Sequence, residues 1–360
     1  MIRIRKLNAR ALNCDLKEAF DIAGGGLQRA ENVLVCAELT DGTRGYGEGA
    51  PFPDFNGETQ NGTFAAVRQA APALIGRPIT EIGAAARDLG RMIPKNGAAR
   101  AGIETALLDA WSRSHRFPLR LFFGGAQTRI VTDVTIPIVS PEHAHRSALA
   151  WKKFGITALK IKVGRDPEKD FERIRAAKDG HPKARLLLDA NAGYDADTAL
   201  KLLSRLKRAK IVPALFEQPA GARDLKAMAR IAARGGVPVA ADESVTCGRD
   251  VLDIARTGAA GYVNIKIMKS GVFESLEIAR TARAAGLGLM IGGLVESPLA
   301  MTCSAHLAAG LGGFSFVDLD TPLFFTREPM RGVKILRGGV YDLSKVRAGL
   351  GVAPKFVIMN

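Results

Sequence analysis

Cysteine is scarce, with four in 360 residues, at Cys14, Cys36, Cys247 and Cys303, and no two form a CxxC pair. That spacing suggests neither a zinc ribbon nor a secreted disulfide framework, and a reducing cytoplasm is the expected compartment. Aromatic residues make up only 6% against 47% hydrophobic residues, so a large core has to be aliphatic. No run approaches the ~20 apolar residues of a membrane-spanning helix. The opening MIRIRKLNAR alternates Ile with Arg where a signal peptide would place an apolar stretch, so neither export nor a membrane is expected. Acidic residues are outnumbered, 36 against 51 basic, for a formal charge of +15. A clustered basic face would point to nucleic acid. Here the bases are dispersed, and the densest run, KLLSRLKRAK at 201–210, sorts its leucines to one helical face and its bases to the other, as a solvated outer helix does. No nucleic-acid partner is expected. A field that draws in anionic substrates is.

The most informative stretch is ALKIKVG at 158–164, in which Lys160 and Lys162 alternate with aliphatic residues. A strand's side-chain period of two puts both ammonium groups on one face. Taken alone, this describes a half-buried strand with a solvated face. The stretches that follow change that: LLLD ends at Asp189, ALFE at Glu217, VAAD at Asp242 and VNIK at Lys266, so a charged residue closes an apolar run every 24 to 28 residues. That is the pitch of a βα unit. Eight strand-like segments from about 131 onward, VTDVTIPIV, ALKIKVG, ARLLLDAN, ALFEQP, PVAADES, GYVNIKI, LGLMIGG and GFSFVDLD, alternate with amphipathic stretches, which predicts a parallel α/β barrel over 131–324. Residues at C-terminal strand ends face the site of such barrels, and Lys162, Asp189, Glu217, Asp242, Lys266 and Asp318 all fall there.

Residues 1–130 lack the barrel pitch. Strand-like IRIRKLNARAL, NVLVCAELTD and RGYGEGAP, with a turn at Gly42, followed by helical stretches near 58–75 and 97–114, predict a separate α+β capping domain. Two of its loops, 21–30 with three consecutive glycines and 50–62 with two exposed-looking phenylalanines, are either flexible connections or lids over the barrel. The tail, 325–360, is expected to return and pack on the capping domain.

Three carboxylates converging on one cavity repel strongly unless a cation neutralises them, and all-oxygen ligation favours Mg2+ over Mn2+ or Ca2+. A lysine that accepts a proton has to be neutral, well below its reference pKa of ~10.4, so a neighbouring cation such as the Lys160 ammonium has a role even without touching the proton.

The motifs KIK at 160–162, DAN at 189–191, EQP at 217–219, ADES at 241–244 and NIKIMKSGV at 264–272 resemble, in order and spacing, the muconate-lactonizing subgroup of the enolase superfamily. The likeness covers almost the whole chain. It implies Asp189, Glu217 and Asp242 as Mg2+ ligands, and Lys162 and Lys266 as acid/base groups on opposite sides of a carboxylate substrate that passes through an enediolate. The Asp318-Leu319-Asp320 motif is similar to the DxD with which dipeptide epimerases hold the substrate's α-ammonium. Thr135 matches a substrate-contacting position of that family. The expected activity is therefore 1,1-proton transfer on the C-terminal residue of a dipeptide, by an isomerase expected to form a homo-oligomer. The dipeptide stays open. Relatives acting on L-Ala-L-Glu carry a base in the first capping loop, where Gly24 to Gly26 stand here; Arg29 could reach in from its end, while Asp54 and Glu58 would favour a cationic side chain. An o-succinylbenzoate synthase, a muconate cycloisomerase or an N-acylamino acid racemase would share the lysines and metal. A basic, non-catalytic binding protein on a barrel scaffold would not need them.

Overall fold

The computed structural model describes residues 1–355. The first sheet is an antiparallel meander of β1 (Ile4–Ile22), β2 (Gly25–Leu39) and β3 (Arg44–Gly49). Helices α1 (Pro53–Asn56), α2 (Gln60–Leu74), α3 (Ile82–Met92) and α4 (Gly97–Ser114) follow. The Asn96 side chain accepts from the Ala99 N–H and so fixes where α4 begins. Strand β3 lies directly on α4. A Cβ at Gly47 would stand 2.0 Å from the Gly102 carbonyl oxygen, so only glycine permits that approach.

After β4 (Arg129–Val131) comes the repeating unit: β5 (Val134–Ile136), α5 (Pro141–Phe154), β6 (Ala158–Lys162), α6 (Pro167–Gly180), β7 (Arg185–Asp189), α7 (Ala196–Arg208), β8 (Leu215–Glu217), α8 (Leu225–Arg234), β9 (Val239–Ala241), α9 (Gly248–Thr257), β10 (Tyr262–Ile265), α10 (Ile267–Ser270), α11 (Val272–Ala284), β11 (Gly288–Ile291), α12 (Pro298–Leu311) and β12 (Phe314–Val317). Strands β5 to β12 form one eight-stranded parallel sheet in chain order. The Asp133 N–H donates to the Val317 carbonyl across the seam between first and last strand, and the sheet closes as the pitch predicts. Short polar caps end the strand-to-helix loops: Ser140, Asp166, Asp195, Asp224 and Ser297 each accept from the first turn of the helix that follows.

The period of two layers the barrel interior. Leu187, Leu215, Ala240, Met290 and Phe316 form a small apolar cluster inside it. Two residues further along four of these strands stand Asp189, Glu217, Asp242 and Asp318, one layer higher and facing the same way. A second bond set joins the two halves. Buried Glu48 on β3 accepts from the Asn32 amide at 2.7 Å, from Ser297 N–H at 2.9 Å and Oγ at 2.5 Å, and from the Ala300 N–H at 3.2 Å, which fastens the meander to the start of α12.

Two expectations change. The segment 21–30 is no loose loop: β1 and β2 run into it, Ile22 pairs with Gly25 and Asp21 with Gly26, and the turn is confined to Ala23 and Gly24. In the segment 50–62, Phe52, just before α1, is buried and Phe55 on α1 is half-buried, their rings 6.4 Å apart. The tail forms β13 (Met330–Gly332), β14 (Val340–Asp342) and β15 (Val352–Pro354). It touches both halves, since β14 pairs with β4 while Arg113 on α4 donates to the Val352 carbonyl. No helix among the described residues is long and apolar enough to cross a membrane.

Candidate active site

Six ionic side chains meet inside the upper barrel, each almost wholly buried: Lys160, Lys162, Asp189, Glu217, Asp242 and Lys266. The register places them, since Lys162 pairs with Asp189 and Asp189 with Glu217 across adjacent strands, while Asp242 and Lys266 directly follow β9 and β10. Lys162 and Lys266 stand four strands apart in an eight-stranded barrel, on opposite walls.

The three carboxylates share a pattern. One oxygen of each is held from the side: Asp189 Oδ1 by the Asn191 N–H at 3.0 Å, Glu217 Oε1 by the Asn264 amide at 2.6 Å, Asp242 Oδ1 by the Lys269 ammonium at 2.8 Å. The other oxygen of each faces ammonium groups. Lys160 Nζ lies 2.8 Å from Asp189 Oδ2 and 2.7 Å from Glu217 Oε2, Lys162 Nζ lies 2.7 Å from Asp189 Oδ2, and Lys266 Nζ lies 2.6 Å from Asp242 Oδ2. Glu217 Oε2 and Asp242 Oδ2 are buried without a directed hydrogen bond despite those close charges. Three carboxylates each steadied by one oxygen and offering the other fit a hard divalent cation as a donor set.

Electrostatics follow from the pairing. Burial alone would raise Asp189 and Asp242, but the lysines outweigh it and hold both well below the ordinary range. Glu217 is pushed up to about 7 by burial and by the charge on Asp189. Burial lowers Lys266, yet Asp242 and Glu217 dominate and hold it well above its ordinary value.

Thr135, Asp318 and Asp320 line the same cavity as Lys160, Lys162 and Lys266. The two aspartates are not idle. Asp318 Oδ2 accepts from Lys160 at 2.6 Å, and Asp320 Oδ2 accepts from the Thr135 N–H at 2.5 Å. Burial and then the charge on Asp318 push Asp320 up to about 7. The remaining walls are apolar: Phe20 and Ile22 from β1, Phe52 and Phe55 from the segment 50–62, and Leu294 and Met301 from the barrel. The Phe55 ring sits 4.7 Å from Lys266 Nζ, a cation–π contact.

Arg29 does not join them. It lies on β2 with half its side chain exposed, 3.4 Å from Asp15, and does not line the cavity. Asp54 and Glu58 are also committed elsewhere, Asp54 to the Gly26 N–H and Glu58 to the Gly97 and Ala98 N–H groups that start α4. A larger groove of about 630 Å³ between β1, β2 and α2 carries no carboxylate, lysine or histidine, and hence no acid–base pair.

The residues from 142 to 356 match the enolase C-terminal domain-like family, and residues 6 to 124 match the N-terminal domain of mandelate racemase and muconate lactonizing enzyme. The chain belongs to the enolase superfamily. It is 46% identical, over 97% of its length and 98% of the relative's, to an aromatic dipeptide epimerase of Herpetosiphon aurantiacus. A hydrophobic dipeptide epimerase of Citrifermentans bemidjiense is 36% identical over 98% of both chains. A dipeptide epimerase of Enterococcus faecalis, solved with Mg and the dipeptide L-Leu-L-Tyr, superposes with a TM-score of 0.93 at 32% identity over 98% of this chain and 99% of that one.

In this superfamily member several polar neighbours of these side chains were not expected from the sequence. Lys269 donates to Asp242 Oδ1 and to the Asp242 and Asn264 carbonyls, and Asn191 accepts from Lys162 at 3.0 Å. Both lie inside the motifs that marked the site, one turn or two residues past the charged strand end. Asp133 brings a carboxylate oxygen within 4.8 Å of Asp318 and Asp320, and no run of charge around it signalled that.

Proposed function

We propose that this protein is a Mg2+-dependent dipeptide epimerase whose preferred substrates carry apolar side chains. The observation that carries the reading is one cavity with Lys162 and Lys266 on opposite walls, Asp318 and Asp320 at the rim, and Phe20, Ile22, Phe52, Phe55, Leu294 and Met301 over the rest. The relatives named for aromatic and hydrophobic dipeptides support the same substrate class.

In this reading Asp189, Glu217 and Asp242 hold Mg2+, which when bound supplies positive charge for the substrate carboxylate as its α-carbon loses a proton. Lys162 and Lys266 do the proton work. One, as the free amine, removes the α-proton; the other, as an ammonium on the opposite wall, delivers a proton to the far face and inverts the carbon. Lys160, locked among Asp189, Glu217 and Asp318, holds a fixed positive charge on the wall that carries Lys162. Asp318 and Asp320 take the substrate's α-ammonium, with Thr135 fixing the orientation of Asp320. With Arg29 turned away, the cavity walls offer an acidic second side chain no base beyond Lys160, Lys162 and Lys266.

The test is α-proton exchange in deuterated solvent with a dipeptide panel and Mg2+. L-Leu-L-Tyr should exchange and epimerise, L-Ala-L-Glu should do so at least tenfold less efficiently, and chelation should abolish both. Equal turnover of N-acyl amino acids and free dipeptides would move the assignment to an N-acylamino acid racemase.

A further inference from the structure

The cavity as it stands encloses only about 20 Å³, room for one water and far too little for a dipeptide. Part of its roof has to move for substrate to pass, and one of the two roof segments is the β1–β2 tip, which carries Phe20 and Ile22. Among the described residues, three sets of hydrogen bonds hold that tip down. The Ile138 N–H donates to the Asp21 carbonyl at 3.1 Å, and the Gly26 N–H donates to Asp54 at 3.2 Å, the latter joining roof to roof. The third is Arg165. Its Nη2 donates to the Ile22 carbonyl at 2.6 Å and the Gly25 carbonyl at 3.2 Å, and its Nε to the Ala23 carbonyl at 3.4 Å.

Carbonyls on both sides of the turn thus converge on one guanidinium. A planar fork with several fixed donors suits such an arrangement, and an ammonium on a flexible stem does not. Arg165 stands three residues past Lys162. The intervening loop lies against the turn, since a Cβ on Gly164, itself at φ +107, would come within 3.1 Å of the Ala23 Cβ. Arg165 is exposed and does not line the cavity, so it acts on substrate only through the hairpin.

We infer that Arg165 is a positioning residue for side-chain selection: it latches the hairpin tip to the loop that follows Lys162, so that Ile22 and Phe20 close over an apolar substrate side chain. This inference rests on the dipeptide reading for its substrate. The latch links the strand that carries the proposed base to the wall that recognises the substrate.

The experiment compares the unmodified enzyme with Arg165→Ala and Arg165→Lys, saturated with Mg2+, on L-Leu-L-Tyr and L-Ala-L-Ala, with kcat and KM separated. Arg165→Ala should raise KM for L-Leu-L-Tyr about tenfold, the worth of a charge-assisted contact at a partly solvated site. For L-Ala-L-Ala, KM should change less than about twofold, as should kcat for either substrate, because the small side chain makes little use of the closed wall. Arg165→Lys should recover part of the loss by keeping one donor. An equal loss on both dipeptides, or a loss in kcat with KM intact, overturns the inference. Amide hydrogen exchange separates it from the function proposal: Arg165→Ala should speed exchange at the Gly25 and Gly26 amides at the hairpin tip by about tenfold. Unchanged protection there overturns the latch whatever the enzyme turns over. Faster exchange in an enzyme inactive on every dipeptide keeps the latch as a structural device but overturns its role in dipeptide selection.

Discussion

The floor of the cavity is ionic and the roof is apolar. On the floor, Lys160, Lys162, Asp189, Glu217, Asp242 and Lys266 come from successive barrel strands and neutralise one another at 2.6 to 2.8 Å. The roof, from β1 and the segment 50–62, brings Phe20, Ile22, Phe52 and Phe55 and turns its own charges, Arg29, Asp54 and Glu58, to other partners. Chemistry and recognition are therefore separable here. Changes on the floor should alter whether any substrate reacts, and changes in the roof which one does.

The largest effects should come from the floor. Lys162→Ala and Lys266→Ala should each reduce net epimerisation by about a thousandfold, the middle of the range that one acid–base group supplies. Each variant should still exchange the α-proton of one epimer, and a different one. NMR in deuterated solvent checks this, and the opposed-wall arrangement is wrong if both variants label the same epimer.

At the rim, Asp320→Asn should lower kcat/KM roughly 30- to 3,000-fold, from the ~2 to 5 kcal/mol lost when a buried charge pair loses one member. N-acetylation of the dipeptide should do much the same to the unmodified enzyme. Because both changes remove one interaction, combining them should cost much less than their sum. Additive losses would mean that Asp320 serves the floor and not the substrate's amino group.

Roof substitutions should be milder and selective. Phe55→Ala removes a ring from the cavity and should raise KM for L-Leu-L-Tyr by about tenfold, a typical value for apolar side-chain contacts. L-Ala-L-Ala should be nearly indifferent, and an equal loss on both would break the division between floor and roof.

The smallest effect on turnover should come where the halves join. Glu104 on α4 is wholly buried, donates no charge to the cavity lining, and accepts from the Phe273 N–H at 3.0 Å at the start of α11. Burial pushes it up to about 7. An unfolded glutamate has released its proton near ~4.3, while the folded one keeps it, so this group's contribution is fully present below the unfolded value and is lost as pH rises through about 7. Glu104→Gln should flatten that slope in urea unfolding, by up to ~3 kcal/mol, and leave kcat within about twofold. A steeper slope in the variant would refute the assignment.

The floor was legible in the sequence for a reason of geometry. A strand's period of two and a 24- to 28-residue repeat put Lys162, Asp189, Glu217, Asp242 and Lys266 at equivalent ends of adjacent parallel strands, so the chain's linear order maps onto the order of the sheet. The helix at 97–114 was legible as well, its start set by a local cap at Asn96. Tertiary structure alone decided the roof. Whether 21–30 is a loop or a hairpin, whether Phe52 faces water or the cavity, and whether Arg29 reaches the cavity all depend on contacts between residues far apart in the chain: Gly26 with Asp54, Glu58 with Gly97, and Arg165 with Ile22. No periodicity encodes such pairs, because each joins ends or turns of elements far apart in the chain, whose approach is set by the way β3 and α4 seat the first half on the barrel.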